Sequence, residues 1–437
     1  MSVVVQSGPG WVLNALLLID AGYQRCVRTG NDGSNLQLKC TFKRQYFQIS
    51  KSYYNRSPSA APNEGKPDIL QVTDKQPKKR KRKRSELNQG EIDSQAFHQK
   101  VRSVILEGTK TLVASAQSCG YLNGDAHAEK EAPPPPECGL AALCEMAKDL
   151  PPVDEEEHVQ RLISEGGCTT NIDLFSRVTE HDQDCAAAVK LMGQEYVIPP
   201  RTAFLLSDFT RMNPLVEYEK SFDLIVMDPP WENKSVKRSQ RYSSLPSSQL
   251  KRLPVPQLAS PNCLVVTWVT NRPSHLRFVC DELYPHWNVQ VVAKWFWVKV
   301  TTLGQFVFPL DSQHKKPYET LVLGRYRPAA SPSDSEMKEV LIEDNRLIIS
   351  VPSALHSQKP SLSEVLNSYI RPGAECLELF ARGLQPGWTS WGNEVLKFQH
   401  SSYFTLTPAD DPADTSKEEA PDGPSAAPAL SSHHANR

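Results

Sequence analysis

One stretch narrows what this chain can fold into more than any other: Ser221-Phe-Asp-Leu-Ile-Val-Met-Asp-Pro-Pro-Trp231. Leu224 to Met227 form an unbroken apolar run, as expected of a strand buried on both faces of a parallel sheet, although a buried helix would read the same way. The prolines decide between them. Neither Pro229 nor Pro230 donates a backbone hydrogen bond, and each turns the residue before it away from helical dihedrals, so a strand ends at Asp228. In open α/β sheets ligands collect beyond the carboxyl ends of strands, which is where Asp228, Pro229, Pro230 and Trp231 then stand.

These four residue types suit attack by a weakly nucleophilic aromatic amine such as adenine N6. Its lone pair is delocalised into the ring, so it needs acceptors for two amino protons while the nitrogen pyramidalises. Asp228 and the Pro229 carbonyl supply acceptors, the proline pair fixes their direction, and Trp231 offers a flat face for an extruded base. The plainer reading is a strand-ending turn without chemistry.

A chain of 437 residues is long enough for two or three domains. Its formal charge of −1 gives no global field for nucleic acid, so any basic surface is local. The ten cysteines include no CxxC pair, which favours reduced thiols over a disulfide framework or a zinc site; no metal is expected. No apolar run reaches membrane-spanning length, and Met1 to Gln6 lacks a basic n-region, so a soluble intracellular protein is expected.

Composition divides the chain. Residues 1–58 read as a small mixed segment: apolar from Trp11 to Ile19, then basic and aromatic residues interleaved from Phe42 to Tyr54, a β pattern that fits either a base-stacking surface or a small core. Residues 59–90 read as a disordered linker holding Lys78-Lys-Arg-Lys-Arg-Lys-Arg84, a solvated charge run that suits a nuclear import receptor, a phosphate-binding arm or both, the import receptor first. Residues 91–190 read as a helical accessory region with a proline-rich linker near 122–137. In it Phe97, Val101, Val104, Ile105, Leu112 and Val113 make one apolar stripe, and shorter helices are expected over 138–150 and 155–163. Over 191–405 strands and helices alternate, as in a doubly wound α/β sheet: strands at 263–269, 289–300, 320–324, 347–350 and 376–380, and helices at 273–283 and 362–370. Residues 406–437 read as a disordered acidic tail.

Several short segments together resemble the adenine-N6 methyltransferases of the mRNA adenosine methyltransferase family. They are Ile-Pro-Pro-Arg-Thr at 198–202, Ser-Asp at 207–208, Asp-Pro-Pro-Trp at 228–231, His-Ser-Gln-Lys-Pro at 356–360, Glu-Leu-Phe-Ala-Arg at 378–382 and Gly-Trp-Thr-Ser-Trp-Gly-Asn at 387–393. The resemblance covers about Val197 to Asn393. It implies a Rossmann-like S-adenosylmethionine-dependent sheet with permuted motif order, the catalytic strand first and the cofactor strand, Cys376 to Phe380, late.

The resemblance also implies roles. Asp208 contacts the cofactor adenine, Lys359 pairs with the methionine carboxylate, Phe380 and Arg382 line the cofactor pocket beside Asp228, and Asn393 and Glu394 hold the ribose hydroxyls. Tyr242 falls where the family places a substrate-contacting tyrosine, and Lys315 and Lys316 fit either substrate phosphates or solvated surface. Glu394 stands where some relatives carry glutamine, and the loop 383–387 is shorter than in many members. The implied reaction is methylation of adenine N6 in nucleic acid, RNA before DNA, in the nucleus and secondarily the cytoplasm, with no obligate protein partner evident. The finer implication is a 2′-O-methylated adenosine of a small nuclear RNA. The alternative is a catalytically silent RNA-binding subunit, against which the intact tetrad argues.

Overall fold

The structure, a computed structural model, describes residues 2–29, 34–53, 88–124, 139–149, 158–164, 167–168, 172–232, 245–312, 315–328 and 340–409. The basic run Lys78 to Arg84, Tyr242, most of the proline-rich linker and the tail from 410 lie outside the described residues.

Phe222–Met227 is the strand expected before Asp228, and it sits inside a twelve-stranded sheet. Across that sheet the strands run Val3–Ser7, Gly10–Leu13, Leu347–Ser350, Val289–Lys299, Tyr318–Tyr326, Ala259–Val269, Phe222–Met227, Cys376–Leu379, Trp388–Trp391, Thr202–Leu205, Val178–His181 and Val159–Arg161. From Gly10–Leu13 to Thr202–Leu205 all point one way except Tyr318–Tyr326, which is antiparallel to both neighbours. Alternate residues of the central strand enter different cores. Ile225 and Met227 join one, Leu224 and Val226 the other, so both faces are covered, as an apolar run without alternation requires. Each such buried side chain stabilises the fold by about 1.5–3 kcal/mol relative to exposure.

The long apolar stripe forms the helix Gln89–Ser118, started by a capping box between Asn88 and Glu91. Val101, Ile105, Leu112 and Val113 pack on the sheet against Phe296, Val298, Leu347 and Ile349. No helix among the described residues is long and apolar enough to cross a membrane.

Distant parts of the chain meet in a second sheet, in the order Gln194–Ile198, Ala186–Leu191, Cys26–Thr29, Asn35–Phe42 and Phe404–Pro408. Three expectations change here. The first 58 residues are no separate unit, because Gly10–Leu13 pairs in parallel with Leu347–Ser350. The basic and aromatic stretch is strand only to Phe42, with a 3₁₀ turn over Arg44–Phe47. Two of its rings are core: Phe42 and Tyr46 pack on Tyr403 and Phe404 rather than standing on an open surface. The strand Phe404–Pro408 also carries order past the expected start of the tail.

The helix expected over 155–163 is absent among the described residues of that span. Val159–Arg161 pairs with Val178–His181, and the Leu162 amide donates to the Glu180 carbonyl while its side chain is fully buried. So short a segment has no helical stripe to bury, and an open sheet edge satisfies its backbone instead. The neighbouring helix forms over Leu140–Ala147.

Candidate active site

Register brings the candidate residues together. Met227 lies opposite Thr267 on one flank and Leu379 on the other, in parallel, so Asp228 and Phe380 leave the sheet at one rim, level with Trp268 in the flanking strand. The late strand Cys376–Leu379 thus stands directly beside the Asp-Pro-Pro-Trp strand, as permuted motif order demands. Phe380 takes φ +60°, a left-handed backbone costing roughly 1–3 kcal/mol in a residue with a side chain. Its ring is held edge-on to Trp391 at 5.1 Å. Gly392 passes so close behind that a Cβ would sit 2.6 Å from the Ala381 carbonyl oxygen, which keeps side chains out of that position.

Asp228 lies within an unbroken alternation of charge: Lys299, Glu319, Lys359, Asp228, Arg382, Glu394, Lys397. Lys299 pairs with Glu319, whose other oxygen is 2.9 Å from Lys359 Nζ. Lys359 Nζ is also 3.3 Å from Asp228 Oδ2, which Arg382 Nη1 approaches at 2.9 Å. Arg382 Nε reaches Glu394 at 3.5 Å, and Lys397 closes the line at 2.8 Å. Burial works against the Lys359 ammonium, but the Asp228 and Glu319 carboxylates outweigh it and raise its pKa. Burial likewise opposes the Glu319 carboxylate, yet Lys299 and Lys359 hold it well below the usual range. Lys359 Nζ also rests over the rings of Trp268 and Trp297, at 5.4 and 6.0 Å from their centroids. Charges this desolvated are costly unless every one keeps its partner.

A cavity of about 420 Å³ opens on this rim, lined by Asp228, Trp268, Lys359, Glu378, Phe380 and Arg382 among others. Glu378 is the sheet's own acid there. Burial pushes its carboxyl up to about 7, against the lowering effect of the Gln385 amide that donates to it at 2.7 Å, and the negative charge of Asp228 adds to the rise.

Asp228, Lys359, Phe380 and Arg382, all expected at the site, therefore line one space. Glu394 joins them through Arg382. Asn393 is next to it in the chain but does not line the cavity, and its carbonyl accepts from the Cys144 thiol at 3.6 Å. Asp208, also outside the lining, accepts from the backbone and hydroxyl of Thr210 and lies 3.6 Å from Lys148. Lys315 extends over the Phe308 ring, and Lys316 donates to the Leu310 carbonyl.

The stacking role expected of Trp231 needs correction. Its ring is 5% exposed, stacked on His275 at 4.8 Å and 20°, and its indole N–H donates to the Trp268 carbonyl at 2.9 Å. Burial brings His275 down to about 4, so the stack is between neutral rings. The turn of the two prolines drives the indole into the core, where it braces the loop. The Pro229 carbonyl accepts the Trp231 amide at 2.8 Å.

Lys299 and Glu319 were not anticipated. Their signal was a lone charge inside an aromatic strand, Trp295-Phe-Trp-Val-Lys299, and another inside Tyr318-Glu-Thr-Leu, but only the antiparallel pairing of those strands puts them in contact.

A family model described as MT-A70 matches residues 222–394, the span from the central strand to Glu394. A human protein named N(6)-adenine-specific methyltransferase METTL4 is 48% identical over 392 residues, covering 86% of this chain and 83% of its own. The chain belongs to the MT-A70 family of adenine-N6 methyltransferases. Two further relatives match over less of the chain. An N6-methyladenosine RNA methyltransferase MTA1 of Pyricularia oryzae is 30% identical, over 58% of this chain and 68% of its own. A DNA N6-methyl methyltransferase of Caenorhabditis elegans is 34% identical, over 49% and 56%.

A methyltransferase of this family takes S-adenosylmethionine as donor, and the cavity side chains fit that molecule. A lysine point charge suits its carboxylate, the acids Asp228 and Glu378 suit its ammonium and sulfonium, and Phe380 and Trp268 suit its uncharged surfaces. The volume falls within the roughly 300–1,000 Å³ of small-molecule sites.

Proposed function

We propose that this chain transfers the methyl group of S-adenosylmethionine to adenine N6 in RNA, foremost an adenosine already 2′-O-methylated in a small nuclear RNA. The product is then N6,2′-O-dimethyladenosine, and DNA adenine is the second substrate. The observation that carries the reading is Asp228, which lines the same cavity as Lys359 and lies 3.3 Å from it.

Bound S-adenosylmethionine supplies an electrophilic methyl group. Lys359 would hold its carboxylate, with Phe380 and Arg382 flanking it; for Asn393 and Glu394 to take the ribose hydroxyls and Asp208 the adenine, as the family resemblance implies, the ligand would extend beyond the residues that line the cavity. Asp228 and the Pro229 carbonyl accept the two N6 protons, which turns the nitrogen lone pair toward the methyl group. Holding the two reactants in line is worth roughly 7–11 kcal/mol of the barrier. No strong base is needed, since the surplus proton leaves after transfer.

RNA comes first because an adenine is most easily turned out of a single strand or loop, where little stacking is lost. The relatives' names support both polymers, one naming RNA and another DNA. Tyr242 and the exposed Lys315, with Lys316 behind it, meet the substrate. The run Lys78 to Arg84 binds an import receptor and places the enzyme in the nucleus, which exchanging its charges for glutamine in a fluorescent fusion tests directly.

Matched RNA, 2′-O-methylated RNA and DNA oligomers, incubated with labelled cofactor and digested for nucleoside mass spectrometry, test the substrate. N6,2′-O-dimethyladenosine should dominate. Equal product from all three would remove the preference, and no product from any would remove the reading.

A further inference from the structure

The family match begins at residue 222, yet one side of the cavity comes from the other end of the chain. Leu18, Ile19, Gly22, Tyr23 and Phe42 line the same space as Asp228 and Lys359, facing the loop that carries Gln385 and Pro386. They are an apolar counterpart to the charged rim. The segment is held in place from three directions. Gly10–Leu13, which runs directly into the helix Ala15–Ala21, is a strand of the catalytic sheet. Asp20 accepts the Phe42 amide at 2.7 Å, which fastens the end of that helix to the second sheet. Gln399, 3% exposed, donates to the Tyr23 hydroxyl and the Val197 carbonyl, both at 2.6 Å, and accepts the Leu384 amide at 3.0 Å. One buried amide thus ties the N-terminal wall to the loop opposite. The approach there is tight: a Cβ on Gly22 would lie 2.6 Å from Pro386 Cγ.

We propose that the helix Ala15–Ala21 and Tyr23 are part of the cofactor-binding site, forming the apolar wall against which the uncharged surface of S-adenosylmethionine packs. The cofactor site is then built from both ends of the chain, and binding tightens the docking of the N-terminal segment on the loop 383–387. A wall held this closely in the free protein raises affinity because little of its ordering is left to the binding step. This inference rests on the cofactor reading above.

The test is titration calorimetry of the full chain with S-adenosylmethionine. Leu18 lines the cavity, whereas Leu17 on the same helix is 50% exposed and does not. Leu18→Trp should weaken binding at least ~10-fold, with the melting temperature of the free protein unchanged, and Leu17→Trp should leave affinity unaltered. If Leu18→Trp lowers the melting temperature, the smaller change Leu18→Gln should still weaken binding several-fold. In the wild type, the cofactor should also slow amide exchange over residues 15–23. Leu18 variants that bind like Leu17→Trp, with exchange unaltered, would overturn the proposal. Lys359→Ala separates the two levels: if it loses binding while the Leu18 variants do not, the wall is wrong and the cofactor reading stands. If it too binds normally, the cofactor reading falls.

Discussion

Two charged clusters in this molecule look alike on paper and differ in surroundings. On the long helix, Arg102 and His98 meet Asp311, with Asp311 57% exposed; Arg102 first and His98 second hold that carboxyl well below its usual range. At the sheet rim, Asp228, Lys359, Arg382 and Glu394 are between 12% and 17% exposed and continue the alternation from Lys299 to Lys397. The Arg102–Asp311 pair is open to water, although His98 beneath it is buried, and adds little to stability. The buried one carries a desolvation cost that an apolar core would avoid. A fold keeps such a line where its charges have a ligand to meet, and here its middle members, Lys359, Asp228 and Arg382, line the cavity.

The largest effect should follow from breaking the line where nothing else can take over. Glu319→Ala leaves Lys299 and Lys359 buried with one carboxylate fewer, and should cost about 3–5 kcal/mol in denaturant unfolding. An unchanged midpoint would mean that water reaches the pair. Next comes Lys359→Met, expected to weaken S-adenosylmethionine binding by about 10–100-fold in calorimetry, more than it changes stability.

Glu378 gives the pH dependence. Its folded pKa, about 7, lies above the ordinary 4.5, so its contribution is complete below the ordinary value and is lost as pH rises through 7. Glu378→Gln should remove that loss, so the variant gains stability relative to wild type between about pH 5 and 8 in unfolding curves. A parallel pair of curves would place water at this carboxyl. Smallest of all, Asp311→Asn should leave both cofactor binding and kcat at wild-type values.

Much of this was legible in sequence because it is local. The run Leu224 to Met227 followed by two prolines places a strand end, and the stripe from Phe97 to Val113 places a long helix. Leu347–Ser350 is a strand with the bounds its apolar residues suggest. Asp228, Lys359, Phe380 and Arg382 were readable as site residues from their motifs, and the register of the parallel strands brings them to one rim.

What stayed hidden depends on partners far away in the chain. The second sheet pairs Asn35–Phe42 with Phe404–Pro408, which no local pattern encodes, and so the aromatics near Phe42 looked equally fit for a surface. Trp231 carries no mark of its direction; its ring turns inward because His275 and the Trp268 carbonyl receive it. Glu319 needs the antiparallel pairing with Trp297 before it can meet Lys299.

The central claim is that the Asp228 carboxylate accepts N6 protons rather than merely neutralising Lys359 and Arg382. Single-turnover methyl transfer by Asp228→Asn, measured beside its S-adenosylmethionine affinity, tests it most directly. The expected result is transfer slowed by about 10²–10³-fold with cofactor affinity within about tenfold of wild type. Transfer at the wild-type rate, or a loss explained wholly by failure to bind cofactor, would contradict it.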